Sequence, residues 1–489
     1  MIAAVAILSA TLVAPREIQA LADIGAKGAV IAIEEGTCAE RQARLAFPKN
    51  RFVEYANAHD AIVALEGGKV DALVYDRPYL DYAALNRPGI RVLDENLGAS
   101  CISIGAPFGR DALMEKVNAY IRSFRADGTY DAMYRRWVLT ADPEMPTIPE
   151  PAHPDGTIRI GITLDQMPMG YLAEGGGYEG YDIEFSRRLA LYLNRRIEFL
   201  SMDYPALIAA TSAGKVELGI SQFDATEERR KAMLLSDPYI DSPVGVAVRR
   251  AGRCRQSCSD WLIGGFRRTF VEEARWKLLL DGLAVTLEIT FAAALLGTVL
   301  AFPLWLALAS RIRPIRAMGR AWVEVMQGTP VLVMLMIVFY VAFSDIDISP
   351  VLVAVLVFGC HFSAYAGEML LSGIMAVPRG QWEAASALGY SQAGAFRRFV
   401  FPQVLRIVLP VYRGTLISML KDTSVVGYIT IHDLTKVGDL VRARTYDGFF
   451  PLVSTAIVYF LLAKLMALAL KRAGDCLGPR TKGANRTCP

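Results

Sequence analysis

The sequence predicts two α/β lobes, each a parallel sheet with crossover helices, followed by an all-α polytopic membrane domain of five spans. Three observations carry this reading. A chain of 489 residues exceeds what one domain usually holds. Its mean hydropathy of +0.31 is high, and the apolar residues are not spread evenly. Residues 1–275 read as polar with alternating strand and helix signals, whereas 278–473 hold the long apolar runs.

The first unit, 1–140, opens on MIAAVAILSATLVAP, which has none of the basic residues of a secretory leader and reads as an inter-lobe crossover strand. Strand GAVIAIE, a helix, strand RFVEYA, helix AHDAIVALEGG and strand VDALVYD follow, then two helices around Asp127-Gly128. A Pro-rich linker covers 141–156. The second unit, 157–250, repeats the alternation: strand TIRIGIT, helix GYDIEFSRRLALYLN, strand RIEFLSM, helix YPALIAATSAGK, strand VELGIS. A βαβαβ order of this kind argues a parallel sheet with helices crossing over it. A basic linker, 251–277, leads to the membrane domain at 278–473. Residues 474–489 read as a disordered cytoplasmic tail.

A span needs roughly 20 mostly apolar residues. Five candidates lie at 283–309, 321–343, 349–370, 404–420 and 449–470, the fourth interrupted by Arg406 and Arg413. Basic residues set the orientation. Arg311, Arg313, Arg316 and Arg320 put the first loop inside. Asp345 and Asp347 put the second outside. Arg379, Arg397 and Arg398 put the third inside, and Lys471 and Arg472 end the last span inside. The N-terminal lobes are then extracytoplasmic, although Arg267, Arg268, Arg275 and Lys277 before the first span are also basic.

Between the third and fourth spans lies EAASALGYSQAGAFRR, residues 383–398. Ala384 and Ala385 let a backbone approach a partner closely, Gly389 suits a helix end with positive φ, and Glu383 is read as complementing a helix start. An ordinary amphipathic surface helix is the alternative. Together with GLAVTLEIT, QGTPVLVMLMIVFY, AYAGEML, SGIMAVPRGQWEAASALG and SMLKDTSVVGYI, the stretch resembles the polar amino acid uptake family of ABC importer permeases over about 275–472.

The resemblance implies a permease of the bacterial inner membrane that works as a pair, homo- or heterodimeric, embedded in lipid. Glu383, Ala384, Ala385, Gly389 and Pro402 would couple it to a separate cytoplasmic ABC ATPase. Leu371 and Gln327 depart from the family, which usually has Arg at the first and Arg or similar at the second. The chain has no G-x-x-x-x-G-K-[ST] phosphate loop. Gly68-Lys69 and Gly214-Lys215 are each followed by Val, so no ATP hydrolysis and no catalytic residue are expected here.

Other polar features fill out the reading. Glu368, Lys421 and Asp422 are charges within or beside spans and are candidates for a membrane role. TSVVGYI, 423–429, echoes a potassium filter, but Ile429 stands at the second filter glycine. His361 beside Cys360 forms no zinc pattern, and neither metal nor cofactor is expected. Cys38 with Cys101, and Cys254 with Cys258, lie where disulfides are permitted, with free thiols as the alternative. The net charge of +3 implies no nucleic-acid partner.

The two α/β units are similar to the lobes of type II periplasmic amino acid-binding proteins, in an unusual order: 15–140 like the second lobe, 155–250 like the first. The similarity implies a polar L-amino acid ligand. Arg229, Thr226 and Ser221 would hold its carboxylate, and Asp76 its ammonium, with Thr37 on the facing loop. The alternatives are an Arg229 ion pair with Glu227 or Glu228, and Asp76 as a cap before Arg77-Pro78. Gln166, Thr163 and Asp224 replace the family's aromatic platform, acidic residue and small hydroxyl. Two arrangements fit the lobe order: a permuted clamshell, or a longer parent chain whose leading lobe is missing. The leader argument favours the second. An amino acid-gated ion channel and a membrane-anchored amino acid sensor remain the other functional classes.

Overall fold

The computed structural model describes residues 18–476 except 56, 142, 174–175, 251–257, 344–345, 347, 446 and 448. The expected crossover strand at the start, the 474–489 tail beyond Cys476, Cys254, Asp345 and Asp347 lie outside the described residues. Two compact units result. One comprises the chain to Leu279 together with Val437–Leu452; the other comprises Leu280–Lys436 and the chain from Val453.

In the first unit the three predicted strands of the opening segment form where β-branched runs occur: β1 (Val30–Glu34), β2 (Arg51–Tyr55) and β3 (Ala72–Asp76). Two further strands, β4 (Ile90–Val92) and β5 (Gly98–Ala106), are not among those expected from the sequence. The second segment adds β6 (Thr157–Ile162), the short β7 (Asp165–Gln166), β8 (Gly170–Leu172) and β9 (Tyr178–Glu179), then β10 (Arg196–Ser201), β11 (Leu218–Asp224), β12 (Leu234–Leu235) and β13 (Ile240–Arg249). Strands β2-β1-β3 pair in parallel, as do β10-β6-β11, so each segment makes its own crossover-type sheet. β3 is buried along its whole length, as expected of a strand covered on both faces.

The two sheets are not separate. β5 pairs antiparallel with β13 through Gly98–Ile102 and with β11 through Ile102–Gly105. β13 pairs with β5 through Ile240–Val244 and with β3 through Val244–Val248. Two long strands therefore run from one lobe to the other in opposite directions, and the main path reads β10-β6-β11-β5-β13-β3-β1-β2. The two segments thus share one sheet, the pairing that a permuted clamshell requires and that an unpaired second lobe would lack. The reason is geometric: β5 carries the chain out of the first lobe and β13 carries it back.

The helices Asp111–Ala126 and Thr129–Val138 then pack on the second segment's lobe. Trp137, Phe124 and Tyr120 enter one core with Phe185, Tyr181 and Ile160. Glu184 fastens this union. It is fully buried and takes two 2.8 Å hydrogen bonds from Arg136, one of 2.7 Å from Trp137 Nε1 and one of 2.9 Å from Arg188. Segment Val437–Leu452 joins this unit as well: Leu440 enters the same core, Arg442 pairs with Asp60 at 3.1 Å, and Arg444 donates to the Leu172 carbonyl and lies over the Tyr171 ring.

Among the described residues four helices are long and apolar enough to span: Trp276–Ala309, Pro350–Met375, Gln392–Ile429 and Phe450–Arg472. A fifth candidate, expected as one span over 321–343, is instead the pair Arg313–Gly328 and Val331–Ala342, bent by 104°. Pro330 explains the break, because it has no N–H to give the helix and holds the preceding Thr329 extended at φ −106°, ψ 129°. The fourth span is likewise longer than expected. It begins at Gln392 and runs through Arg406 and Arg413 without interruption. Small residues let helices approach: a Cβ on Gly297 would stand 2.6 Å from the Gly359 carbonyl oxygen. Leu295, Val299, Leu306 and Phe460 are exposed, as lipid-facing residues are.

Candidate ligand cleft and coupling segment

The carboxyl ends of parallel strands are where open α/β sheets bind ligands. Here they present a set of acids. Glu34 ends β1, Asp76 ends β3, Asp224 ends β11, and Asp165 follows β6. Gln166 Nε2 donates to the Tyr75 hydroxyl at 3.2 Å, and Gln222 Nε2 donates to Gln166 Oε1 at 3.0 Å. These bonds draw the two lobes together over the acids.

Arg229 is partly buried, with its guanidinium over the ring of Tyr204. It does not pair with Glu227 or Glu228. It lies 3.7 Å from the Asp224 carboxylate, donates to the Asp224 carbonyl at 3.0 Å, and reaches the Gly36 carbonyl of the facing lobe at 3.4 Å. Asp224 in turn accepts from the Cys38 N–H at 2.8 Å, at the start of the helix Cys38–Ala46, and from the Ser100 hydroxyl. Thr226 caps the short helix holding Arg229, accepting from the Arg229 N–H at 3.3 Å. Ser221 shares a 2.5 Å hydrogen bond with Thr163.

Asp76 stands at the cap position before Arg77-Pro78, but its side chain makes no cap bond. It accepts instead from Ser242 at 2.8 Å. Burial raises its carboxyl, with Asp224 adding to the rise and Ser242 opposing it. Thr37 is used structurally, accepting from the Glu40 N–H and donating to the Glu34 carbonyl at 2.8 Å. Of the five residues named for this site, Arg229 and Asp76 thus stand beside the acid cluster, Thr226 positions Arg229, and Ser221 and Thr37 are occupied by local bonds.

Sequence reasoning missed Glu34. It is 7% exposed, and its Oε2 has no hydrogen-bond partner among the described residues. Burial raises its carboxyl to about 8; the Tyr75 hydroxyl opposes this from nearby, and Asp165 and Asp76 add to the rise. The available signal was a carboxylate closing the apolar run VIAIE. Cys38 and Cys101 are free thiols, so no disulfide joins them.

In the second unit the expected docking helix is a helix–turn–helix. The helix Arg379–Ala387 ends before Gly389, whose φ is +79°, and Gln392 starts the next. Glu383 is not at the helix start: it lies beyond the first turn, which holds no acid. Ala385 is buried, while Glu383 and Ala384 face outward. Pro402 sits where the π turn Phe396–Val400 passes into the helix Phe401–Asp422, inside the long helix Gln392–Ile429. Tyr390, Ala393, Gly394, Arg397 and Arg398 line a surface hollow beside this turn.

Glu368 accepts from Gln327 Nε2 at 2.8 Å, so the position where the family usually has Arg or a similar residue supplies a neutral donor. Lys421 and Asp422 end the fourth long helix, and residues 423–429 continue as a 3₁₀ turn. The filter-like TSVVGYI is therefore wound, not extended. Among the described residues no group of acidic, His and Cys side chains could hold a metal ion.

The sequence signature of the bacterial extracellular solute-binding proteins, family 3, matches residues 158–387. That of the binding-protein-dependent transport system inner membrane component matches residues 293–482. Their overlap at 293–387 is helical and belongs to the second unit. The L-cystine transport system permease protein TcyB of Bacillus subtilis is 32% identical over 201 residues, 40% of this chain and 86% of that protein. The chain belongs to the amino-acid ABC transporter permeases. The octopine transport system permease protein OccM of Rhizobium radiobacter is 33% identical over 199 residues, 39% of this chain and 81% of its own. A solved structure described as an amino acid ABC transporter with histidines is 31% identical, with a TM-score of 0.39, covering 42% of this chain and 98% of that one. The protein is thus a multi-pass inner-membrane permease for amino-acid transport that carries a fused solute-binding region.

Proposed function

We propose that this permease is the receptor and translocation subunit of an importer for polar L-amino acids. Segments 1–140 and 157–250 form one extracytoplasmic receptor, with 141–156 linking them, and 251–277 leads into the translocation domain at 278–473. Two such domains, identical or different, enclose the path. A separate cytoplasmic ABC ATPase binds the turn built on Glu383, Ala384, Ala385 and Gly389 and drives uptake.

The helix–turn–helix at 379–402 carries this reading. It presents an outward acid and a left-handed glycine between two membrane helices, in a loop whose flanking arginines favour the inside. Within the membrane unit, Glu368 with Gln327, and Lys421 with Asp422, are the polar groups proposed to border the path. The wound 423–429 turn supports transport over a channel.

The test is reconstitution in vesicles with the ATPase. Glu383→Lys is expected to abolish co-purification of the ATPase and to cut uptake at least tenfold, while ligand binding outside persists. Uptake and ATPase capture at wild-type level in that variant would sink the proposal.

A further inference from the structure

An α-amino acid with a neutral side chain offers one carboxylate and one ammonium. The cleft offers far more acid than that. Glu34, Asp76 and Asp224 end β1, β3 and β11, Asp165 follows β6, and Arg229 is a cation built beside them. Moreover, Arg229 is already engaged. Asp224 sits where an arginine and a helix start meet, taking the Cys38 N–H at 2.8 Å, the Ser100 hydroxyl and the Arg229 charge at 3.7 Å. Those are the donors an α-carboxylate would seek. Glu34 is the reverse case. It is buried, its Oε2 accepts no hydrogen bond among the described residues, and a buried acceptor left this way is costly.

We propose that the cleft is shaped for an organic dication: a basic L-amino acid, or the diamine of the same skeleton. One ammonium meets Asp76, whose carboxylate accepts from Ser242, and the second cationic group meets Glu34 with Asp165 nearby. This rests on the reading of the two segments as one receptor and names its ligand class. The raised Glu34 and Asp76 carboxyls agree with the geometry, because a cation arriving beside them displaces their protons. Binding is then accompanied by proton release.

The experiment is calorimetric titration of the full chain in lipid nanodiscs with L-lysine, L-arginine, 1,5-diaminopentane, L-norleucine, L-glutamine and L-glutamate. A cationic group meeting a buried carboxylate is worth about 10- to 100-fold in affinity. Lysine, arginine or the diamine is therefore expected to bind at least tenfold tighter than norleucine, which has lysine's skeleton without the second cation. Glu34→Gln is expected to erase that ratio. Diaminopentane equal to lysine means Asp224 keeps the carboxylate seat; lysine far above diaminopentane means the ligand carboxylate displaces Asp224. Both support the dication.

Glutamine, norleucine or glutamate binding as tightly as lysine overturns it and leaves the amino acid receptor standing. No binding by any of the six, in protein with an intact melting transition, overturns the receptor reading as well. Titration of the wild type in two buffers of different ionisation enthalpy gives an independent check. About one proton released per ligand near pH 7 is expected, and no release overturns the assignment of Glu34.

Discussion

Glu184→Leu probes the union of the two α/β segments, and its effect can be worked from the contacts. The substitution removes the acceptor of three side chains. Trp137 Nε1 lies in the core at 2.7 Å from Glu184, and without it a buried donor is left unsatisfied, at a cost of about 1–3 kcal/mol. Arg136 and Arg188 are 31% and 32% exposed, so each can turn toward water, and losing each pair costs about 0–1 kcal/mol. The total is roughly 1–5 kcal/mol. For a unit of this size that lowers the melting temperature by roughly 2–20 °C.

The assay is thermal unfolding of the purified full chain followed by tryptophan fluorescence, paired with cleavage at a protease site placed in the 141–156 linker. Wild-type pieces are expected to stay together after cleavage, held by β5, β13 and the Arg136–Glu184 contact, and the variant's pieces to separate on warming. A melting temperature unchanged within about 2 °C, with wild-type pieces that fall apart once cut, would refute the permuted clamshell.

Glu34 is expected to make the stability of the α/β unit pH-sensitive. Its folded carboxyl is raised from 4.5 to about 8, so the folded state holds the proton more tightly than the unfolded one. The stability this confers is complete below about pH 4.5 and is lost as pH rises through about 8. Relative to wild type, Glu34→Gln is expected to melt alike at acid pH and to be more stable above pH 8 by on the order of 5 kcal/mol; parallel melting curves across the range would contradict it. Arg442 and Arg444 tie segment Val437–Leu452 to different lobes, through Asp60 and through Leu172 with Tyr171. The double change to Ala is expected to leave ligand affinity within about threefold but to slow ligand-dependent uptake, measured in vesicles, and unchanged uptake would remove that segment from the mechanism. Gly389→Val forces a β-branched residue to φ +79° and is expected to cost about 1–2 kcal/mol locally and to weaken ATPase capture, with normal capture as the contrary result.

Much of this architecture was legible because its signals are local. Apolar runs long enough to span, βαβ alternation, a glycine between two helices and the positions of arginines in short loops depend on neighbours in the chain. The residues of VIAIE and ALVYD announce buried strands by composition alone, and EAASALG announces a helix with a left-handed stop. The same locality explains the errors. Thr329-Pro330 interrupts an apolar run whose hydropathy continues across it, so composition reads one span where backbone sterics make a 104° bend. Glu383 is misplaced because the helix begins earlier, at Arg379, than its small-residue core suggests.

What the tertiary structure alone decided is set by contacts between residues far apart in sequence. β5 and β13 are ordinary strands as sequence, and only their pairing, Ile102 with Ile240 and Val244 with Asp76, makes two lobes into one clamshell. Asp224 and Cys38 stand 186 residues apart, yet a 2.8 Å bond joins them at the seat proposed for a ligand carboxylate. Glu34 becomes exceptional only when other strands bury it beside Asp76 and Asp165. The sequence by itself determined the class of protein and its membrane half, because hydropathy and helix period are properties of the local chain. The cleft's charge balance came from tertiary structure, because desolvation and ion pairing depend on which residues meet in space.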